Sequence, residues 1–284
     1  MTFPDLLTLT KVRVNALVVA TTAGGYYMAA PATVDFPSLA VTCLGTALVA
    51  SGAAALNQVD ERDLDRLMIR TRTRPVAEGR MSAAEGRAIA FVLALAGLAI
   101  LFFGSTKAAA LVALVTFSTY ILVYTPLKRR TSFATVVGAV PGGLPPIIGW
   151  SAAGGVLSTP APWSLFLLMF LWQLPHFLAI AWLYRDDYAR AGLPMLPVVD
   201  PRGSLTSRQA VLWAATLIPI SELPYLLRLT GPAYAVSAAV LGLGLLTLAF
   251  RFMLQRTDAS ARALFYGSLT YLPLLWIVMA AARR

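Results

Sequence analysis

The sequence predicts an all-α, polytopic membrane protein with nine transmembrane helices. Of its 284 residues, 58% are hydrophobic and only 13% are charged, whereas soluble domains have roughly 25% charged residues. The mean hydropathy is +0.72. Apolar runs of about 20 residues, the length that a helix needs to cross a bilayer, recur along the chain. Lys and Arg are concentrated in alternate loops, which is typical of a multi-span protein.

Charged segments and segments that contain Gly and Pro separate the apolar runs. The first run is followed by AAPATVDFP and by further runs, so it does not have the form of a cleavable signal peptide. We predict a single domain over residues 1–284. Its spans are expected near residues 12–30, 37–57, 83–104, 107–125, 132–153, 160–184, 208–228, 232–255 and 262–282.

The positive charges predict which side of the membrane each loop occupies. With a cytoplasmic N-terminus, 19 of the 23 Lys and Arg fall on the inner side, which satisfies the positive-inside rule. This bias explains the net charge of +10 without a nucleic-acid partner. We expect a protein of the inner (plasma) membrane, with its two longer charged loops in the cytoplasm and its C-terminus outside. The single cysteine, Cys43, excludes an internal disulfide.

An acidic stripe follows the second span in NQVDERDLDRLMIRTRTRP, residues 57–75. If the helix continues inward from Asn57, Glu61 and Asp65 follow at four-residue steps on nearly the same face. Asp60 lies at the edge of that face. Carboxylates this close together require a cation, and oxygen ligands of this kind suit Mg²⁺. These residues are therefore candidates for a magnesium site at the membrane surface.

Three arginines, Arg70, Arg72 and Arg74, follow the acidic stripe directly. Guanidinium groups bind phosphate through paired hydrogen bonds, and the apolar spans would hold a lipid chain. The combination predicts an anionic substrate such as a prenyl diphosphate, bridged to the acids by the metal. The alternative is a solvated loop of compensating charges whose arginines contact lipid headgroups.

The sixth span carries the single histidine, His176. It shares one helical face with Trp172 and, two steps of four residues further on, with Tyr184. A histidine inside the membrane usually faces the bundle interior. His176 is therefore a candidate for an interhelical hydrogen bond, for metal ligation or for contact with a buried polar substrate.

The second charged loop follows this span and contains Asp186 and Asp187, flanked by Arg185 and Arg190. The two acids could hold a second Mg²⁺, or they could order the loop through ion pairs. Their residue types favour neither alternative.

The fifth span contains GAVPGGLPPIIGW, residues 138–150. Its prolines and glycines cannot sustain a regular helix. A broken helix inside the bilayer usually lines a cavity; the alternative is a kink that packs against small residues of a neighbouring helix.

Taken together, these motifs resemble a known family. Asn57, Glu61 and Asp65, with the arginines that follow, are similar to the first Asp-rich motif of the UbiA superfamily of intramembrane prenyltransferases. Four further stretches resemble the protohaem IX farnesyltransferase branch of that superfamily: YTPLKRRT at 124–131, Gly149-Trp150, WQLPHF at 172–177 and YRDDYARAGLPMLP at 184–197. Two features depart from the superfamily pattern: Glu61 stands where Asp is usual, and the two Asp of the second loop are adjacent rather than four residues apart.

The resemblance implies nine transmembrane helices around a central cavity, capped by the two cytoplasmic loops. It also implies a reaction in the lipid bilayer with Mg²⁺ as cofactor. The farnesyl group of farnesyl diphosphate is joined to a vinyl group of haem B, which gives haem O and diphosphate. A haem A synthase or a terminal oxidase assembly is an implied partner.

The resemblance further implies roles for individual residues. Basic side chains would neutralise the diphosphate, His176 would contact the haem iron or another haem atom, and Asp187 would support a second Mg²⁺ or order Arg185. The expected catalytic residues are Asn57, Glu61, Asp65, Arg70, Arg74, Lys128, Arg185 and Asp187. The expected metal ligands are Asn57, Asp60, Glu61, Asp65 and Asp187. The expected substrate-binding residues are Lys11, Arg13, Tyr124, Arg129, Trp172, His176, Tyr184, Tyr188 and Arg190.

Two other functions are compatible with the sequence. Within the same superfamily, the acceptor could be the aromatic ring of a quinone precursor. In a different class, the protein could be a membrane carrier without catalysis, but a carrier places its polar site near the membrane midplane. Release of diphosphate that depends on Mg²⁺ would distinguish an enzyme from a carrier.

Overall fold

The computed structural model describes residues 2–31 and 33–284, which form helices joined by short loops. Within these ranges, the one extended pairing is a bridge between Thr230 and Arg283. The α-helices are α1 (Phe3–Leu9), α2 (Val12–Ala29), α3 (Phe36–Asp60), α4 (Arg62–Leu67), α5 (Pro75–Glu78), α6 (Ala83–Gly104), α7 (Lys107–Ser118), α8 (Thr125–Leu127), α9 (Ala134–Gly143), α10 (Pro145–Ala152), α11 (Pro160–Leu183), α12 (Arg185–Arg190), α13 (Leu196–Val199), α14 (Ser204–Ser221), α15 (Leu223–Leu226), α16 (Pro232–Gln255) and α17 (Asp258–Ala281). A π-helical turn, Thr119–Tyr124, joins α7 to α8.

The all-α membrane class is confirmed, but the count of nine spans is not. Helices occupy each of the nine predicted ranges. In the described part of the chain, six are long and apolar enough to cross a membrane, and a seventh is added if α1 and α2, bent by 53°, form one span. The six are α3, α6, Lys107–Leu127 (α7 to α8), α11, α16 and α17. The nine-span count therefore stays a prediction.

Two of the predicted spans are each divided between two helices. The fifth predicted span is divided at Leu144 into α9 and α10, which have only ten and eight residues. The seventh predicted span, 208–228, is α14, which begins at Ser204 and ends at Ser221. Pro224 lies in the first turn of the separate short helix α15, because proline has no N–H to continue the preceding helix.

Helix α11 lies in the centre of the bundle. It packs against α9, α10, α14 and α17. In its apolar 18-residue segment, 72% of the residues are buried, against 28% in the corresponding segments of α6 and α16. The neighbouring helices α2 and α10 cross with their backbones in contact, because Gly25 lies on Pro146 and Gly149 lies on Thr22.

Candidate active site

The C-terminal end of α3 and the short helix α4 that follows it carry three buried polar side chains. Asn57, Glu61 and Asp65 are 2%, 3% and 0% exposed. The helix breaks at Glu61, whose φ and ψ are −100° and 4°, and α4 resumes at the next residue. The Asp65 amide nevertheless donates to the Glu61 carbonyl at 2.8 Å, so the four-residue repeat survives the break and keeps both carboxylates near Asn57.

Each of these buried groups is paired with a basic side chain. Lys128 forms an ion pair with Glu61. Arg74 donates from Nη1 to both oxygens of Asp65, at 2.9 and 2.8 Å. Lys11 donates from Nζ to Asn57 Oδ1 at 3.2 Å. Buried carboxylates would be costly without such partners, so the site as folded is an alternating cluster of acids and bases.

Two residues that the sequence analysis did not single out hold this cluster in place. Asn57 Nδ2 donates to Glu61 Oε1 at 2.6 Å and lies 3.4 Å from Thr125 Oγ1. Thr125 is placed by the π-helical turn, since its hydroxyl donates to the Tyr120 carbonyl at 2.9 Å. Gln58 donates from Nε2 to the carbonyls of Thr8 and Leu9, which fastens the α1–α2 break, and with it Lys11, onto α3.

Of the other residues predicted for this site, Asp60 and Arg13 lie outside the cluster and Tyr124 lies at it. Asp60 is exposed, and its carbonyl accepts a hydrogen bond from Arg129. Arg13 is also exposed. Tyr124 lies at the cluster, with its ring centroid 5.7 Å from Lys128 Nζ. Within residues 2–31 and 33–284, no group of three or more His, Cys, Asp or Glu side chains is arranged to hold a metal ion, and the metal-binding roles of Asp60, Glu61 and Asp65 stay predictions.

The second loop contacts the first through Asp187. Its Oδ1 and Oδ2 accept from the backbone N–H groups of Ile69 and Arg70 at 3.1 and 3.2 Å, and Arg190 forms an ion pair with it. Burial raises the pKa of Asp187, but the two backbone donors and Arg190 outweigh burial, so the net pKa lies below its ordinary value. Arg185 lies elsewhere, because it donates to Asp258 at 2.8 Å at the start of α17.

Arg70 lies between the two loops. Its guanidinium carbon is 4.5 Å from the ring centroid of Tyr184 and 5.9 Å from that of Tyr188. Its Nη2 lies 3.4 Å from the Tyr188 hydroxyl. Arg70 is exposed and has its charge available to an anion at the surface of the cluster.

His176 is hydrogen-bonded to α17. Its Nδ1 lies 2.8 Å from Ser268 Oγ, and that hydroxyl lies 2.7 Å from the Phe265 carbonyl. When the hydroxyl donates to this carbonyl, Nδ1 is the donor to Ser268, and Nε2 keeps its lone pair. The ring is stacked between Trp172 and Phe265, with centroids 5.1 and 5.0 Å away, so its orientation is fixed.

Sequence comparison identifies the relatives of this chain. Residues 17–277 match the UbiA prenyltransferase family. The chain is 44% identical over 290 residues to the protoheme IX farnesyltransferase of Solibacter usitatus (strain Ellin6076), with 98% of each chain covered. It is 42% identical over 289 residues to the protoheme IX farnesyltransferase of Koribacter versatilis (strain Ellin345), with 98% of this chain and 93% of the relative covered.

Solved structures share the fold at low sequence identity. One, from work on the biosynthesis of digeranylgeranylglyceryl phosphate synthase in membranes, has a TM-score of 0.81 at 16% identity, with 98% of this chain and 97% of that chain covered. A UbiA homologue from Archaeoglobus fulgidus bound to GPP and Mg²⁺ has a TM-score of 0.68 at 14% identity, with 97% and 99% covered. The resemblance noted from the charged loops is thus confirmed over nearly the whole length: this chain belongs to the UbiA prenyltransferase family.

Proposed function

We propose that this chain catalyses the Mg²⁺-dependent transfer of the farnesyl group of farnesyl diphosphate to a vinyl group of haem B, giving haem O and diphosphate. One observation carries the proposal: two buried carboxylates and a buried amide, each paired with a Lys or Arg, lie at the inner end of long apolar helices. The names of the relatives support farnesyl and haem as substrates. GPP and Mg²⁺ in a homologue of the same fold support the metal.

The oxygen atoms of Asn57, Glu61 and Asp65 fit Mg²⁺, which prefers carboxylate and carbonyl ligands and fills its other positions with water or phosphate oxygens. When bound, Mg²⁺ would offset the charge of the diphosphate and assist its departure. The acids are already neutralised by Lys128 and Arg74. A divalent ion that neutralises the acids instead would leave these two cations available to diphosphate oxygens.

The basic residues then stabilise the leaving group. The bond between the farnesyl carbon and the diphosphate oxygen breaks, and the electron pair leaves with diphosphate. Lys128, Arg74 and Lys11 would neutralise that growing charge. The haem vinyl carbon attacks the allylic cation, and water then adds with loss of a proton to give a hydroxyethylfarnesyl group. The apolar helices would guide the farnesyl chain and keep water from quenching the cation early.

The charge distribution supports a site on the cytoplasmic side of the inner membrane. The cluster belongs to loops that carry most of the Lys and Arg, so the positive-inside rule places it in the cytoplasm together with the N-terminus. The C-terminus would then lie outside. A haem A synthase or a terminal oxidase would receive the product within the same membrane.

The direct test supplies purified protein in lipid nanodiscs with farnesyl diphosphate, Mg²⁺ and either haem B or an aromatic quinone precursor. The expected product has the mass of haem B plus one farnesyl group and one hydroxyl group, and its formation stops when a chelator removes Mg²⁺. A prenylated quinone precursor in place of haem O would assign the other acceptor. Absence of diphosphate release with every acceptor would contradict an enzymatic role.

Replacing His176 with Ala is expected to weaken haem B binding about tenfold. The reason is that Nε2 presents a lone pair from a ring that Trp172, Phe265 and Ser268 hold in place. Haem affinity is measured from the shift of the haem absorption band on titration. Ser268→Ala keeps the imidazole but frees its tautomer, so its effect should be smaller. An unchanged titration in His176→Ala would leave the histidine as a packing residue.

A further inference from the structure

The two charged loops are joined at one carboxylate. Asp187 lies in α12 of the second loop, yet both of its oxygens accept hydrogen bonds from consecutive backbone amides of the first loop, those of Ile69 and Arg70. These contacts connect positions more than 100 residues apart in the chain. Arg190, one turn further along α12, forms an ion pair with the same carboxylate.

An apolar cluster closes the same junction. Met68, which precedes the two bonded amides, packs against Ala191, Leu193 and Met195 of the second loop. Arg70 then extends over the ring of Tyr184 and toward the hydroxyl of Tyr188. The junction therefore fixes both the backbone and the side-chain direction of Arg70.

The first loop continues from this junction back to the buried acids. Thr71 donates from Oγ1 to the Asp65 carbonyl at 3.1 Å, and Arg74 holds the Asp65 carboxylate. A short segment, residues 69–74, thus runs from the Asp187 contact to the acid cluster. Displacing its first two amides would displace the arginines that it carries.

The backbone N–H groups of Ile69 and Arg70 form a receptor for the Asp187 carboxylate, which accepts a hydrogen bond from each. Both oxygens are occupied by donors, and Arg190 supplies the neutralising charge. The residue is 6% exposed. The side chain of its neighbour Asp186, by contrast, is exposed and makes no hydrogen bond or ion pair within the described ranges. A divalent ion at Asp187 would compete with the two amides and Arg190 for the same two oxygens.

We propose that Asp187 is a positioning residue that clasps the second loop onto the first and so places Arg70 for the diphosphate of the substrate. The placement of Arg70 for diphosphate rests on the proposed function, whereas the contact that joins the two loops does not. Mg²⁺ is then held by Asn57, Glu61 and Asp65, and Asp187 is not one of its ligands.

Three measurements on Asp187→Asn, with Asp186→Asn as the matched control, test this role. Hydrogen exchange of peptides that cover residues 66–75 should be about tenfold faster in Asp187→Asn and unchanged in the control. The number of Mn²⁺ ions bound in the presence of farnesyl diphosphate, counted by electron paramagnetic resonance, should equal that of the wild type in both variants. The dissociation constant of farnesyl diphosphate should rise about tenfold in Asp187→Asn alone.

A double-mutant cycle then separates positioning from general destabilisation. If Asp187 acts through Arg70, Asp187→Asn should weaken substrate binding no further in an Arg70→Gln background. Should Asp187→Asn fail to accumulate, Tyr184→Leu removes the ring beneath Arg70 and leaves the carboxylate, and its effect should likewise vanish in the Arg70→Gln background.

Several outcomes would overturn the clasp. They are unchanged exchange at residues 66–75, the loss of one bound Mn²⁺ in Asp187→Asn, or additive losses with Arg70→Gln. Failure of the proposed function has a different signature, since the wild-type protein would then bind no farnesyl diphosphate while the exchange result still reported on the clasp.

Discussion

Replacing Asp65 with Asn is expected to lower the rate of farnesyl transfer by about 100-fold or more, the size of effect seen when one group that stabilises a developing charge is removed. Asp65 is fully buried, and both of its oxygens are engaged by Arg74. The amide of Asn keeps the shape but removes the charge that would hold a divalent ion, and it leaves Arg74 without an anionic partner. Glu61→Gln should act similarly, because it leaves Lys128 unpaired.

The rate is measured as haem O formed by purified protein in nanodiscs at saturating substrate. Asp63→Asn is the matched control: Asp63 lies in the same short helix α4, is exposed, and forms ion pairs with Arg62 and Arg66. Thermal unfolding of each variant separates a loss of chemistry from a loss of structure. A rate for Asp65→Asn within twofold of the control would show that the buried acid has no part in the reaction.

Gly149→Ala is expected to have the largest effect on folding. A Cβ at this position would overlap the Thr22 carbonyl, and a second backbone atom, the amide nitrogen of Tyr26, lies 2.6 Å away. Because the obstacle is backbone rather than a flexible side chain, it cannot rotate aside. Overpacking of this kind costs about 1–3 kcal/mol.

The measurement is the midpoint of thermal unfolding in detergent, together with the yield of monodisperse protein. Gly244→Ala in α16 provides the control, because a Cβ there would meet open space; alanine is the better helix former by about 1 kcal/mol, so this variant should be as stable as the wild type. Equal midpoints for the two variants would mean that the backbones of α2 and α10 are not in close contact at Gly149.

Part of the candidate site could be predicted from spacing alone. The four-residue steps from Asn57 to Glu61 and Asp65 placed these side chains near one another, and the hydrogen bond across the break at Glu61 preserves that repeat. The same reasoning placed Asp60 at the edge of the face. In the structure Glu61 is buried and Asp60 is exposed. Spacing gives the angle between two side chains on a helix, but packing against the rest of the chain decides which of them is covered.

The partners of the acids could not be predicted. Nineteen basic residues share the inner side in the predicted topology, and their order in the chain does not indicate that Lys128 reaches Glu61 or that Arg74 reaches Asp65. Thr125 was missed because its position depends on a π-helical turn, which has no signature in the apolar stretch TYILVY. Ser268 was missed because it is one small polar residue within a long apolar helix.

The sequence by itself determined the membrane class and the position of the helices along the chain, and it predicts the side on which the charges collect. These properties follow from hydropathy and charge over windows of about 20 residues, so they can be read locally. Only the tertiary structure decided which acid meets which base, which residue is bonded to His176 and how Asp187 reaches the first loop. Those contacts join residues far apart in the chain, and packing of the helices alone brings them within hydrogen-bond distance.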